Sequence, residues 1–301
     1  MPRLIIHPGA PKTGTSTLQR FLHAHREALL RRGVAVYTPA NFRRAPMMRA
    51  CRSATRGGPP LSRAALDAFA AETADADIVL VSEEGFCSGF LLGGEPEPSG
   101  LERAGVSAEV IGSLPFDDIS VILTIRQQRG FLVSSYTHRV KLHREARGFS
   151  RWLDEAVDAE RLSWSGVASA FEARLGAGRV ALLPFEIVKA ESAVSYVRAF
   201  FAAAGLSLDD LDLGEVRAAN VSASHLAVSA SRLFNRLSRR KTGRSELNAW
   251  LTRRFPSDRH GGFRPSDPRL DEIANAYAAE NDALARRYFP DHADVFLGAR
   301  S

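Results

Sequence analysis

The chain has 301 residues, 45% of them hydrophobic and 25% charged, and a formal net charge of +6. This is an ordinary globular composition, long enough for one large α/β domain or two small ones. The two cysteines, Cys51 and Cys87, lack metal-ligand spacing. They exclude a disulfide framework and make a reducing compartment the expectation.

The first apolar run, RLIIH at 3–7, stops at Pro8 and Gly9 and reads as a buried strand. It is too short for a signal-peptide core, and no apolar run approaches the ~20 residues that span a bilayer. A cytoplasmic protein without stable membrane insertion is expected. From Thr15 the pattern turns helical, with Leu18, Phe21, Leu22, His25 and Leu29 on one face and Gly33 placed as a C-cap. A second strand follows at 34–39. Residues 40–63, rich in Arg, Pro and Gly, read as a surface loop.

A helix is predicted over 61–76 and a third strand over 77–82. The Gly-, Pro- and Glu-rich stretch 93–100 reads as another excursion, and further strands are predicted at 119–125 and 179–186. Helical patterns cover 189–204, 223–239, 244–254 and 269–288. Alternating strands and helices mark a parallel sheet covered by helices. The expectation is one domain over 1–301, with a core at 1–206 and a helical part at 207–301 packed on it.

The positive balance favours an anionic ligand: a nucleotide, a sulfated or acidic glycan, or nucleic acid. Yet 36 of the 40 basic residues are Arg, so much of the charge reads as a solvated, Arg-rich surface. No nucleic-acid partner is expected. The four lysines, Lys12, Lys141, Lys189 and Lys241, therefore stand out. Two of them lie in the segments that carry chemistry.

One such segment is HPGAPKTGTSTLQRFL, residues 7–22. Strand, glycine-rich turn and helix together present backbone N–H groups and a helix N-terminus to a phosphate. The hydroxyls of Thr13, Thr15, Ser16 and Thr17 and the Lys12 ammonium add donors, and Gly14 lets the backbone approach closely. A Walker loop has its lysine directly after the second glycine. Here Thr15 follows Gly14, and the lysine lies inside the loop.

Pro11-Lys12-Thr13-Gly14-Thr15-Ser16 resembles the PKxGT[TS] phosphosulfate loop of sulfotransferases, which use 3′-phosphoadenosine-5′-phosphosulfate (PAPS). The resemblance implies a P-loop-type three-layer sandwich: a parallel sheet of about five strands flanked by helices, with a largely helical C-terminal third. It also implies that Lys12 reaches the phosphosulfate bridge without a Walker magnesium.

A second segment, ILTIRQQRGFLVSSYTHRVK, extends the resemblance. The family carries its 3′-phosphate ligands as an Arg after a buried strand and a Ser eight residues on. Arg126 and Ser134 fit that spacing, with Tyr136 two further, although Gln127-Gln128 replaces the usual Asn/Asp-Pro. Guanidinium forks grip phosphate bidentately. A late basic, glycine-containing loop often closes that site, which makes Arg264, after Gly261-Gly262, a candidate. Fainter likeness runs through 179–206 and the C-terminal helices, as in bacterial members.

Sulfuryl transfer by in-line displacement needs a base for the acceptor proton and positive charge at the leaving oxygen. Glu83 and Glu84 end the third predicted strand, and Ser82-Glu83-Glu84 resembles the family's Ser-x-Glu, which assigns Glu84 as base ahead of Glu83. His7 reads as a packing residue, and Lys141 as solvent-exposed. His23 and His25 point different ways on one helix, and His138 and His143 lack companions at ligand spacing, so no metal is expected.

The resemblance thus implies transfer from PAPS, with adenosine 3′,5′-bisphosphate as product, to a hydroxyl or amine of a glycan or small metabolite. The charge favours an anionic acceptor. The loops at 40–63 and 88–113 and the C-terminal helices are expected to shape its pocket. An ATP- and magnesium-dependent small-molecule kinase and a non-catalytic nucleotide-binding module are the alternatives.

Overall fold

In the computed structural model, the short apolar runs become five parallel strands, and the structure describes residues 2–9, 12–86, 100–214, 216, 223–237 and 244–298. The strands are β1 (Arg3–His7), β2 (Val34–Tyr37), β3 (Ile78–Ser82), β4 (Ile119–Ile125) and β5 (Val180–Pro184). They lie in the order β2-β3-β1-β4-β5. The register sets His7 level with Ser82 of β3, and Leu4 level with Ile119 of β4. With every pairing parallel, all strand carboxyl ends lie along one edge.

In chain order, α1 (Thr15–Ala24) and α2 (Arg26–Leu30) follow β1, α3 (Pro46–Ala54) and α4 (Arg63–Glu72) follow β2, and α5 (Gly100–Gly112) follows β3. After β4 come α6 (Gln128–Leu142), α7 (Phe149–Ala156) and α8 (Trp164–Leu175), and after β5 come α9 (Ile187–Ala190) and α10 (Ala193–Ala204). The last third holds α11 (His225–Leu237), α12 (Arg244–Arg254), α13 (Ser257–His260), α14 (Pro268–Ala276), α15 (Ala278–Tyr288) and α16 (Ala293–Leu297).

Two compact units result: Met1–Arg126 with Glu160–Ala219 and Ala279–Ser301, and Gln127–Ala159 with Asn220–Ala278. The first contains the sheet. Ile5, Leu80, Ile122 and Leu183 form one core with Leu18 and Leu22 of α1 and Val197, Phe200 and Phe201 of α10. Their neighbours Ile6, Val81, Val121 and Leu182 are equally buried, and α8 packs against β4 and β5. Burial on both faces is why these strands read as unbroken apolar runs rather than alternating ones.

The second unit is built on aromatic packing. Tyr136 of α6 stacks on Phe263 at 5.5 Å and meets Trp152 of α7 at 5.3 Å, and its hydroxyl donates to the Arg147 carbonyl at 2.8 Å. Asn235 of α11 donates to the carbonyls of Val140 at 2.7 Å and Glu145 at 3.0 Å. Arg269 ties α14 to α7 through Asp154 at 3.0 Å.

Residues 40–63 are not all loop. Pro46 starts α3, as a first-turn proline can, and Met47, Met48, Cys51 and Ala54 bury one face of it. The arginines between them hid the helical period. The 15–29 helix divides at His25, whose Nδ1 meets the Phe21 carbonyl at 3.0 Å and competes with the helix ladder. The 269–288 segment divides likewise at Tyr277, which donates to the Ala159 carbonyl at 2.8 Å. In the 88–113 segment α5 occupies the later part, while the 93–99 stretch lies outside the described residues. Two helices in 143–178, α7 and α8, have no counterpart in the sequence reading. The signal was there for α8, whose Ser163 caps the Gly166 N–H at 2.9 Å.

Met48 separates a helix from a loop at α3, being fully buried. Met48→Ala is expected to lower unfolding free energy by about 2–5 kcal/mol, measured by urea denaturation. A change near zero would leave 40–63 a surface loop.

Candidate functional site

Among the described residues of the loop after β1, Gly9 (φ 53°), Lys12 (φ 72°) and Gly14 (φ 82°) are left-handed. Gly14 is obligatory on two grounds. Its φ disfavours any side chain, and a Cβ there would lie 2.6 Å from the Phe185 ring. Lys12 is the exception, a non-glycine residue in a region that costs about 1–2 kcal/mol. Such strain persists only where the surroundings impose it. Arg126 is one such restraint, its Nη1 donating to the Lys12 carbonyl at 3.1 Å. Pro11 lies outside the described residues.

Gly14 also opens α1, whose first turn has no side-chain cap and no acidic residue. The helix N-terminus therefore offers its partial positive charge to an anion. Thr13, Thr15 and Thr17 are buried around this turn and Ser16 is half-buried.

Arg126 follows β4 directly and is 8% exposed. Its guanidinium lies 4.7 Å from the Phe185 ring centroid, and its own carbonyl accepts from Trp164 Nε1 at 2.7 Å. Burial pulls its pKa below the usual arginine value, while nearby Glu186 pushes it back up. Phe185 follows β5 and touches both Gly14 and Arg126. Sequence reasoning missed it, because nothing local marks an aromatic after a strand as a loop support.

The two carboxylates after β3 meet different fates. Glu83 is 1% exposed and accepts from Arg43 at 3.0 and 3.3 Å and from the Gly85 N–H at 2.9 Å. Arg43 is held above its usual pKa chiefly by that bond. Glu84 is half-buried and accepts the Thr15 hydroxyl from the loop. Glu83 thus faces Arg43, and Glu84 faces the first turn of α1.

Beneath the loop runs a buried polar chain. His7, at the end of β1, joins Ser82 of β3 through Nδ1 at 2.9 Å and Thr124 of β4 through Nε2 at 3.0 Å. Thr124 in turn meets the Tyr196 hydroxyl at 2.8 Å. Burial drives the His7 pKa down to about 3, so the ring is neutral at physiological pH. His7 is therefore a hydrogen-bonded bridge across three strands as well as a packing residue.

The first unit by itself brings together Lys12, Thr13, Gly14, Thr15, Ser16, Thr17, Arg126, Glu83 and Glu84. Ser134 and Arg264 belong to the second. Ser134 is half-buried on α6, its carbonyl accepting the Thr137 hydroxyl at 2.9 Å, and Arg264 is exposed. Lys141 is half-buried rather than solvent-exposed, and burial lowers its pKa. Among the described residues, no group of three or more His, Cys, Asp and Glu converges as a metal site. Among them, too, no helix is long and apolar enough to cross a membrane.

No family model and no curated protein matches the chain. Solved structures do. A sulfotransferase from Alicyclobacillus acidocaldarius aligns at 15% identity over 91% of this chain and 96% of that one, with a TM-score of 0.43. Mouse sulfotransferase SULT7A1, complexed with PAP, aligns at 11% identity over 99% of this chain and 89% of that one, with a TM-score of 0.44.

The His7 bridge carries a pH signature. The unfolded ring titrates at its ordinary value of 6.5 and the folded one at about 3. As pH falls below 6.5 the unfolded state takes up a proton that the folded state refuses. Stability then drops by about 1.4 kcal/mol per pH unit until the folded pKa is reached. Urea titrations at pH 7.5, 5.5 and 4.5 should show a shallower acid loss in His7→Gln, and equal slopes would remove His7 as the cause.

Proposed function

We propose that the chain transfers a sulfuryl group from PAPS to a hydroxyl or amine of an anionic glycan or small metabolite. One observation carries this reading. The Lys12 turn is gripped from β4 by Arg126 and linked through Thr15 to Glu84 after β3. A cation and a carboxylate thus flank a helix N-terminus at the carboxyl ends of a parallel sheet, where such folds bind ligands.

The donor set fits a phosphosulfate. The loop supplies threonine hydroxyls, the open end of α1, the Lys12 ammonium and a buried guanidinium. When bound, PAPS supplies an activated sulfuryl group whose leaving oxygen gathers negative charge. Lys12 and the α1 N-terminus hold that charge. Arg126 binds phosphate through its fork. Glu84 receives the acceptor proton on a carboxylate oxygen, within reach of the loop because Thr15 holds it there. Glu83 holds Arg43 and shapes the turn through the Gly85 N–H. Ser134 and Arg264 are proposed as 3′-phosphate ligands on the motif alone.

The reading is tested by thermal shift with adenosine 3′,5′-bisphosphate beside ATP plus magnesium. The bisphosphate at 100 times its dissociation constant should stabilise the chain by about 2.7 kcal/mol. A response to ATP and magnesium alone would point to a kinase. Glu84→Gln should cut turnover about 10²- to 10⁴-fold while sparing bisphosphate binding, and retained turnover removes Glu84 as base. Arg126→Ala should weaken bisphosphate binding about 10- to 100-fold, as loss of a charged hydrogen bond does, and Lys12→Ala should act mainly on turnover.

A further inference from the structure

We propose that the arginine face of α3 is the acceptor subsite and that it takes a saccharide bearing carboxylate or sulfate groups; this rests on the sulfuryl-transfer reading. From Thr38 to Leu66 the chain carries six arginines and no Asp or Glu. Arg49 and Arg52 of α3 and Arg56 in the turn just after it recur at helical spacing, and with Ser53 and Gly58 they line a concavity of about 420 Å³. Their direction is set by packing, because Met47, Met48, Cys51 and Ala54 bury the opposite face.

The face adjoins the proposed base. A Cβ at Gly85 would lie 3.0 Å from Arg52 Cδ and 3.1 Å from its Cγ. The Arg52 stem therefore crosses the residue that follows Glu84. Arg43, by contrast, is occupied by Glu83.

Several arginines elsewhere on the surface are neutralised locally, as in Arg63–Asp67, Arg151–Glu155 and Arg179–Asp118. Among the described residues neither Arg49 nor Arg52 has a carboxylate partner, and Arg49 instead donates to the Arg44 carbonyl at 2.9 Å. Like charges one turn apart repel, so this face gains when an anion arrives. Guanidinium forks match carboxylate and sulfate, and the Ser53 hydroxyl suits a sugar hydroxyl. Nucleic acid is the poorer fit, since among the described residues no aromatic side chain lines the concavity to stack a base.

Calorimetry on the full chain tests this with chondroitin, chondroitin sulfate, neutral dextran and a single-stranded oligonucleotide. The wild type is compared with an Arg49→Ala/Arg52→Ala/Arg56→Ala variant, and adenosine 3′,5′-bisphosphate serves as the control for the donor site. The acidic saccharides should bind the wild type, dextran should not, and the triple variant should bind them at least 10-fold more weakly with unchanged bisphosphate affinity. Equal saccharide binding by both proteins, or none by the wild type, overturns the subsite. Preference for the oligonucleotide, lost in the same variant, overturns it in favour of a nucleic-acid surface. Loss of bisphosphate binding in every protein, with saccharide binding still arginine-dependent, sinks the transferase reading and keeps the saccharide site.

Discussion

The site depends on a neutral imidazole held between two hydroxyls. His7 spans from Ser82 to Thr124, tying β3, β1 and β4 together where their carboxyl ends meet the loop. Unpaired polar atoms at zero exposure are costly, so the bridge works only while each partner stays in register. Parallel pairing supplies that register, setting His7 opposite Ser82. The Tyr196 hydroxyl extends the chain to α10 and so links the end of the sheet to its helical cover.

Above this layer the chain concentrates opposing charges. Lys12 takes a left-handed backbone that glycine would take more cheaply, and Arg126 holds its carbonyl. A buried guanidinium is poorly solvated, which its lowered pKa records. Such a group is stabilised by an anion more than an exposed one, because fewer waters compete. The adjacent carboxylates show how partners divide two like residues: Glu83 is held by Arg43, whereas Glu84 meets the loop.

Much of this was legible in the chain itself. The five strands lie in apolar runs, and the loop spacing with Arg126 is visible in one dimension. The α3 helix was not, because its buried Met47, Met48 and Cys51 are interleaved with arginines in a Gly- and Pro-rich segment. The break at His25 escaped for another reason, since the ring bonds a carbonyl one turn back while sitting on the apolar period. Tyr136, spaced like a motif residue, proved to be a core aromatic of the second unit.

Local pattern by itself determined where the strands and many of the helices form, that the sheet is parallel, and that a lysine-bearing, glycine-containing turn follows β1. Backbone period and turn chemistry act over a few residues, so a few residues reveal them. Only the tertiary structure decided that Phe185 supports Gly14, that Arg43 engages Glu83 while Thr15 engages Glu84, and that Arg52 of α3 adjoins Gly85. Those pairings join residues tens of positions apart. They follow from strand order and register, which no short stretch of chain encodes.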